Sequence, residues 1–322
     1  MVNEYFSNAR AAARSTGLLG AERLNRMIDC TSAEDALKIL QEVNFGEGLS
    51  VSAAASERLI EAEERAFSAF VREASPSENL TRFLLVQRDY RNAEAIMRSK
   101  YLKTDARAMV GTEGVYSLSL LEEKIFADDY EKFGKRLAEA LSQADKMFVD
   151  GSATGRRINA LFSRAHYREL SELAQNSKLL REIVSLRADA VNIGVALRAR
   201  NARLASEMTV AGGTLTDAQI KCLCEESDAV IAERFCRSPR RALISCALAD
   251  LAEGRPLIAL EKAAKGCAFS VVGREKYNDA GFRPFLLYCC KKTAELENVR
   301  IVMFCLMNGV DKAVIRSRVQ DL

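Results

Sequence analysis

The sequence of 322 residues has no Trp, only 4 Pro and a single His. Each shortage excludes something. Pro is confined to positions 76, 239, 256 and 284, so long stretches carry nothing to interrupt a helix, and the abundant Ala, Leu, Glu and Arg favour one. The most apolar run, Ile301 to Met307, is far short of the roughly 18 residues of a membrane span. No direct span is expected, and any membrane association would come through partners. Met1 to Arg14 lacks the apolar segment of a signal peptide. The net charge is only +3, with both signs mixed along the chain, which gives no footprint for nucleic acid. Short basic clusters, Arg156-Arg157 and Arg237 to Arg241, read as solvated helix ends.

Catalytic patterns are also missing. Gly151-Ser-Ala-Thr-Gly155-Arg-Arg has neither the spacing nor the Lys-Ser/Thr of a phosphate-cradling loop, and Gly212-Gly213 is a loop pair. His166, beside Arg164 and Arg168, shows no nucleophile or orienting partner, and reads as a surface or partly buried residue. Adjacent acids such as Glu63-Glu64, Glu122-Glu123, Asp128-Asp129 and Glu225-Glu226 would point about 100° apart on a helix, which suits solvated faces better than an acid/base couple. The nine Cys form no CxxC pair, and Cys222 and Cys224 would lie about 200° apart. Free, buried thiols in a reducing cytoplasm fit them best. The expectation is a non-catalytic chain with no cofactor, no metal and no nucleic-acid partner. A helical lyase or metal-dependent hydrolase would need a convergent polar pocket for which the sequence offers no ligand cluster.

What the chain does have is one helix that recurs. Asp89-Tyr-Arg-Asn92 opens the first copy, Asp189-Ala-Val-Asn192 the second and Glu295-Leu-Glu-Asn298 the third. In each an acid is followed three residues later by Asn and then by an apolar run. The first two end in basic pairs, Arg98/Lys100 and Arg198/Arg200, where the third has Phe304 and Leu306. On a wheel of about 100° per residue, Ala93/Ile193/Val299, Ala95/Val195/Ile301, Ile96/Ala196/Val302 and Met97/Leu197/Met303 form an apolar arc that includes the Asn. Glu94, Gly194 and Arg300 fall outside it, facing water or a partner. A buried Asn is costly unless its amide is satisfied, so Asn92, Asn192 and Asn298 are read as ties from helix to neighbouring backbone, with Asp89, Asp189 and Glu295 as the companion repeat positions. Asn8 stands in a similar setting. A second match, Glu131-Lys-Phe133 with Glu233-Arg-Phe235, lies 102 residues apart, and two agreeing offsets point to duplication.

In order, helices are expected over Tyr5–Ser15, Glu22–Ile28, Ala33–Leu40, Ser56–Arg72, Glu78–Val86 leading into the first copy, Leu118–Ile125, Asp128–Leu141 and Ala153–Leu186. Thr216 should cap a short helix, Arg240–Lys265 should be helical with Pro256 where it could start a helix, and Phe282–Met307 and Asp311–Val319 close the chain. The expected fold class is all-α: three similar helical units in a pseudo-threefold arrangement. The units are residues 1–85 with 291–322, then 86–185, then 186–290, the first completed by the C-terminal helices.

Glu295-x-Glu297-Asn298-Val-Arg300-Ile301, with Gly309 and Ile315-Arg316, resembles the closing signature of the C-type subunit of archaeal-type and bacterial V-type rotary ATPases, whose equivalent in the vacuolar enzyme is the d-type subunit. Tyr5-x-x-Asn8-Ala-Arg10-x3-Arg14, Leu18-Leu19, Leu24-x-x-Met27 and Asp89-Tyr-Arg91-Asn92 resemble it too, so the likeness spans the chain. One departure is the lack of a Gly-Lys pair ahead of Gly309, where Cys305, Leu306 and Met307 stand. The resemblance implies an all-helical, non-catalytic subunit on the cytoplasmic face of the membrane, its three units forming a funnel-like socket. It would receive the central shaft, sit on the membrane rotor ring and pass torque between them, in support of ATP-coupled proton or sodium transport. The competing reading is a helical-repeat interaction scaffold unrelated to ATPases.

Overall fold

The computed structural model describes residues 3–106, 109–273 and 281–320. Among them there are helices and no strand, so the chain is all-α. It divides into two compact units, one of Met1–Thr81 with Lys265–Leu322, the other of Arg82–Ala264.

The first unit opens with α1 (Glu4–Ser15), α2 (Gly20–Asp29), α3 (Ala33–Glu42) and α4 (Ser56–Ala74). Ser32 caps α3 by accepting from the Asp35 amide, and Ser75-Pro76 ends α4. Between α3 and α4 a 3-10 turn occupies Phe45–Gly48, with Asn44, Gly46, Glu47 and Gly48 all at positive φ. Then α5 (Glu78–Leu102) runs without a break from the first unit into the second and carries the first acid–Asn pair.

The second unit continues with α6 (Leu118–Phe126), α7 (Lys135–Val149), α8 (Gly155–Leu173), α9 (Lys178–Ala199), α10 (Ala202–Met208), α11 (Asp217–Glu225), α12 (Asp228–Arg234) and α13 (Arg241–Ala252). Two expectations are corrected here. The single stretch Ala153–Leu186 is two helices, because Ala174 to Ser177 turns the chain and Ser177 caps α9 by accepting from the Leu180 amide. The helix expected from Asp128 begins only at Lys135: Asp128 has φ 58°, a 3-10 turn occupies Tyr130–Lys132, and Gly134 precedes the helix. Thr216 does cap α11, in a reciprocal box with Gln219. The next helix, α14 (Ile258–Gly273), crosses back to the first unit. It starts two residues after Pro256, and Asp250 Oδ2 accepts from the Ala259 amide at 2.6 Å.

The first unit closes with α15 (Arg283–Met307), ended where Gly309 takes φ 62°, and α16 (Lys312–Arg318), capped by Asp311. Phe285 and Tyr288 of α15 pack on Phe70 of α4 at ring separations of 5.8 and 5.1 Å, and the Arg14 guanidinium covers the same ring at 5.3 Å. Truncating a buried Phe of this kind typically costs about 3–5 kcal/mol. In the second unit α9 is the central element. It packs against α8, α10, α11 and α13 and buries Ile183, Val184, Ala188, Ile193 and Leu197. The expected outward face of α9 is wrong at Gly194, which is buried with Leu257 and Leu260 against it. Val195 and Ile301, placed in the apolar arc, are only half-buried.

Candidate functional site

Each recurrent helix buries its acid and its Asn, and other backbone comes back to bond both. In α5, Asn92 Nδ2 donates to the Thr112 carbonyl at 3.1 Å and its Oδ1 accepts from the Gly111 amide at 2.8 Å. The Asp89 carboxylate accepts from the Val115 and Tyr116 amides at 2.9 and 3.0 Å. In α9 the same constellation is rebuilt about a hundred residues on. Asn192 donates to the Val210 carbonyl at 3.0 Å and accepts from the Val210 amide at 2.8 Å. Asp189 accepts from the Thr214 and Leu215 amides at 2.7 and 3.0 Å, and also from the Thr214 hydroxyl at 2.7 Å and Arg240 Nε at 2.6 Å. A glycine opens each loop to the carboxylate. A Cβ at Gly114 would run into Asp89 Oδ1, and one at Gly213 would run into Asp189 Oδ1.

The third constellation takes its backbone from two stretches far apart in sequence. Asn298 Nδ2 donates to the Gln320 carbonyl at 2.9 Å, and its Oδ1 accepts from the Gln320 amide at 2.8 Å. The amide offered to Glu295 is that of Leu19, just ahead of α2. The other Glu295 oxygen accepts from Lys292 at 2.6 Å, and Lys292 also meets Glu63 at 2.6 Å. Glu63 in turn accepts from the Gly46 amide at 2.6 Å. The reading of Glu63-Glu64 as a solvated face is therefore corrected: Glu63 neutralises a buried cation, and Glu64 pairs with Arg300 at 3.1 Å. Asn8 makes a related tie, donating to the Gly281 carbonyl at 2.9 Å and accepting from the Phe285 amide at 3.2 Å.

The bases that end the first two copies bring in a further acid, which the acid–Asn spacing does not reveal. Lys100, at the end of α5, donates to the Ile125 carbonyl at 3.1 Å and to Asp128. Arg200, at the end of α9, donates to the Glu226 carbonyl at 3.1 Å and to Asp228 at 2.5 Å. In α15 no base stands at that position. Lys312 and Arg316 of α16 reach Asp29 instead, through its carbonyl at 2.6 Å and its carboxylate at 2.5 Å. Asp29, Asp128 and Asp228 lie 99 and 100 residues apart, the signal that could have found them.

Over residues 7–318 the sequence matches the model of one protein family, described as ATP synthase (C/AC39) subunit. The chain belongs to the ATP synthase (C/AC39) subunit family. This family supplies the C-type subunit of V/A-type ATPases and the d-type subunit of the vacuolar enzyme. No individual curated protein matches the chain. The C/AC39 subunit is a non-catalytic part of the ATPase complex, and its partners lie within that complex. No helix among the described residues is long and apolar enough to cross a membrane.

His166 is buried between Tyr90 and Tyr167, and its Nε2 has no partner, which corrects the surface reading. Burial drives its pKa down to about 3, with Arg187 and Arg91 adding to the fall, so the ring is neutral at ordinary pH. Buried Glu169 accepts from Tyr90 Oη and Arg82 Nε, both at 2.6 Å. Burial lifts Asp89 to about 6 against the pull of its two amide donors, with the Glu169 charge assisting. No group of three or more His, Cys, Asp or Glu among the described residues is placed to hold a metal ion. Of the free thiols, Cys222, Cys224, Cys289 and Cys305 are buried, but Cys236 is exposed and Cys30, Cys246 and Cys290 are half-buried. The Cys267 side chain lies outside the described residues.

Proposed function

We propose that this chain is the rotor subunit that joins the central shaft of a V/A-type ATPase to the membrane rotor ring. It passes torque between them and supports ATP-coupled transport of protons or sodium ions. It sits on the cytoplasmic face of the membrane, held there through its partners. In this reading residues 1–85 with 291–322, 86–185 and 186–290 are three similar units about a pseudo-threefold axis, forming a funnel-like socket. Asp89/Asn92, Asp189/Asn192 and Glu295/Asn298 are the equivalent ties.

The observation that carries the functional part is the family match over residues 7–318. The threefold part is supported by the recurrence of the ties, down to Leu19 supplying the amide that a continuous loop supplies in the other two. Physically, a coupling must transmit load without deforming. Close-packed interiors resist compression, and fully satisfied buried polar groups hold one register. Each tie fastens a central helix to the backbone beside it, so that backbone cannot slide under load. The test is to mix the purified chain with detergent-solubilised ring and with shaft subunits. A complex holding all three on size exclusion is expected. Failure to bind either ring or shaft would overturn the assignment.

A further inference from the structure

A cleft of about 1000 Å³ opens between α7, α8 and α10 of the second unit. Its charged lining is Arg136, Arg156, Arg157, Arg164 and Arg168 against two acids, Glu139 and Glu207. Glu139 is already paired with Arg136 at 3.1 Å, and Arg136 also meets Glu172. The Arg157 and Arg164 guanidiniums donate to backbone carbonyls, those of Ser152 at 3.0 Å and Glu207 at 3.3 Å, and form no ion pair among the described residues. Among the described residues the Arg156 and Arg168 side chains bond to nothing. Taken alone, the sequence makes Arg156-Arg157 a solvated helix end; the fold gathers these bases with Arg164 and Arg168 over an apolar floor. That floor includes Met147, Leu161, Leu204 and Met208, all half-exposed.

We propose that this cleft receives an amphipathic helix of acidic sequence from another subunit of the same complex. The charge is complementary to acids. Arg157, Leu161, Arg164 and Arg168 fall on one face of α8, and the bases span about 16 Å along its axis at 1.5 Å per residue. That is the reach of three turns of a second helix whose acids recur every three or four residues. An inorganic anion would satisfy one or two of these bases and leave the apolar floor wet. A helix with acids along both edges of a Leu stripe covers both. The bases steer the encounter and fix orientation, while the buried apolar contact holds the partner.

The proposal rests on the reading that this chain acts through partners, and two measurements on one preparation separate the two. The probe is a fluorescent 20-residue helix with Glu flanking a Leu stripe, titrated by anisotropy against the full chain. Binding should weaken at least tenfold in Arg156→Glu/Arg168→Glu. These two side chains hold nothing in the fold, so the variant should fold normally. Arg58→Glu/Arg65→Glu, which alters the net charge equally on exposed positions elsewhere, should leave binding unchanged. Binding should also fall as salt rises. An equal loss in both double variants, or equal binding of a peptide with Gln for Glu, would overturn the proposal. So would phosphatidylserine vesicles that lose binding through Arg156 and Arg168 while the peptide does not bind at all. If the chain assembles with ring and shaft but ignores the peptide, this proposal alone falls. If the peptide binds and assembly fails, the rotor reading falls instead.

Discussion

The two ties of the second unit are local and the tie of the first unit is not. Asp89 and Asp189 take their amides from residues 25 to 27 positions ahead, whereas Glu295 takes one from Leu19 across 276 positions. Closing the longer loop costs about 2 kcal/mol more in chain entropy, on the logarithmic dependence of loop closure. The same constellation is therefore dearer in the first unit, where ion pairs surround it. Lys292 lies between Glu295 and Glu63, Arg300 meets Glu57 and Glu64, and Arg316 meets Asp29. The position of the atoms matters to the tie; which stretch of chain supplies them does not.

The largest effect should come from Asp189→Ala. It removes the acceptor for Arg240, whose side chain is only 12% exposed, and orphans two loop amides. Breaking a buried ion pair from one side costs about 3–5 kcal/mol, read as a drop in urea midpoint with the slope unchanged. Glu295→Ala should cost less, about 1–3 kcal/mol, because Lys292 keeps Glu63. Equal losses would erase the contrast between the units.

Next in size is Asn192→Leu, which leaves the buried Val210 amide and carbonyl without partners. About 1–3 kcal/mol is expected, lowering the melting temperature while ATP hydrolysis by the detached catalytic head is unchanged. Asn298→Leu likewise leaves the buried Gln320 amide and carbonyl without their side-chain partner, and should lower the melting temperature in the same way. An unchanged melt for Asn192→Leu would remove the structural role of the tie.

Acid should also separate the units, since the single His lies in the second. His166 is held at about 3 in the fold, against about 6.5 when free. Between those values the unfolded chain takes up a proton that the native chain refuses, so stability is lost as pH falls from 6.5. Asp89 works the other way: raised to about 6, it binds a proton more tightly when folded, and adds stability as pH falls from 6 towards 4. His166→Phe keeps an aromatic ring beside both tyrosines and deletes only the loss. Relative to the parent chain, the variant should gain about 2 kcal/mol between pH 7 and 4.5. A difference independent of pH would mean that the ring is protonated or solvated in the native state.

The helices and the acid–Asn spacing were legible because both are local. Period, caps and a repeat offset near one hundred can be read along the chain without knowing what packs on what. Apart from two helix bounds set by local turns at Ala174–Ser177 and Asp128–Gly134, the errors fall where a distant segment decides. Gly194 has no side chain to declare its face, and Leu257 and Leu260 cover it. Glu63 reads as a solvent acid until Lys292 arrives from far along the sequence. His166 looked unpartnered, and its Nε2 is, but two aromatic neighbours bury it. The arginine cleft was invisible for a related reason: Arg156-Arg157 is a helix end on paper, and only the packing of α7 and α10 beside α8 makes it one wall of a site.

The smallest predicted effect bears most directly on how the third constellation is completed. Lys100 reaches Asp128 with a side chain only 15% exposed, and it also caps the Ile125 carbonyl. Arg316, which serves Asp29 in its place, is 46% exposed against a carboxylate that is 58% exposed. Exposed pairs of this sort are worth about 0.2–1 kcal/mol and are screened by salt. Arg316→Ala should therefore cost under about 1 kcal/mol in dilute buffer and nearly nothing in 1 M salt, where the Debye length has shrunk to roughly 3 Å. Lys100→Ala should keep most of its penalty in salt, because it also strands a carbonyl. If Arg316→Ala proves as costly and as salt-resistant as Lys100→Ala, the substitute cation from α16 is held as firmly as the original. The distant stretches would then close the first unit as tightly as continuous loops close the second.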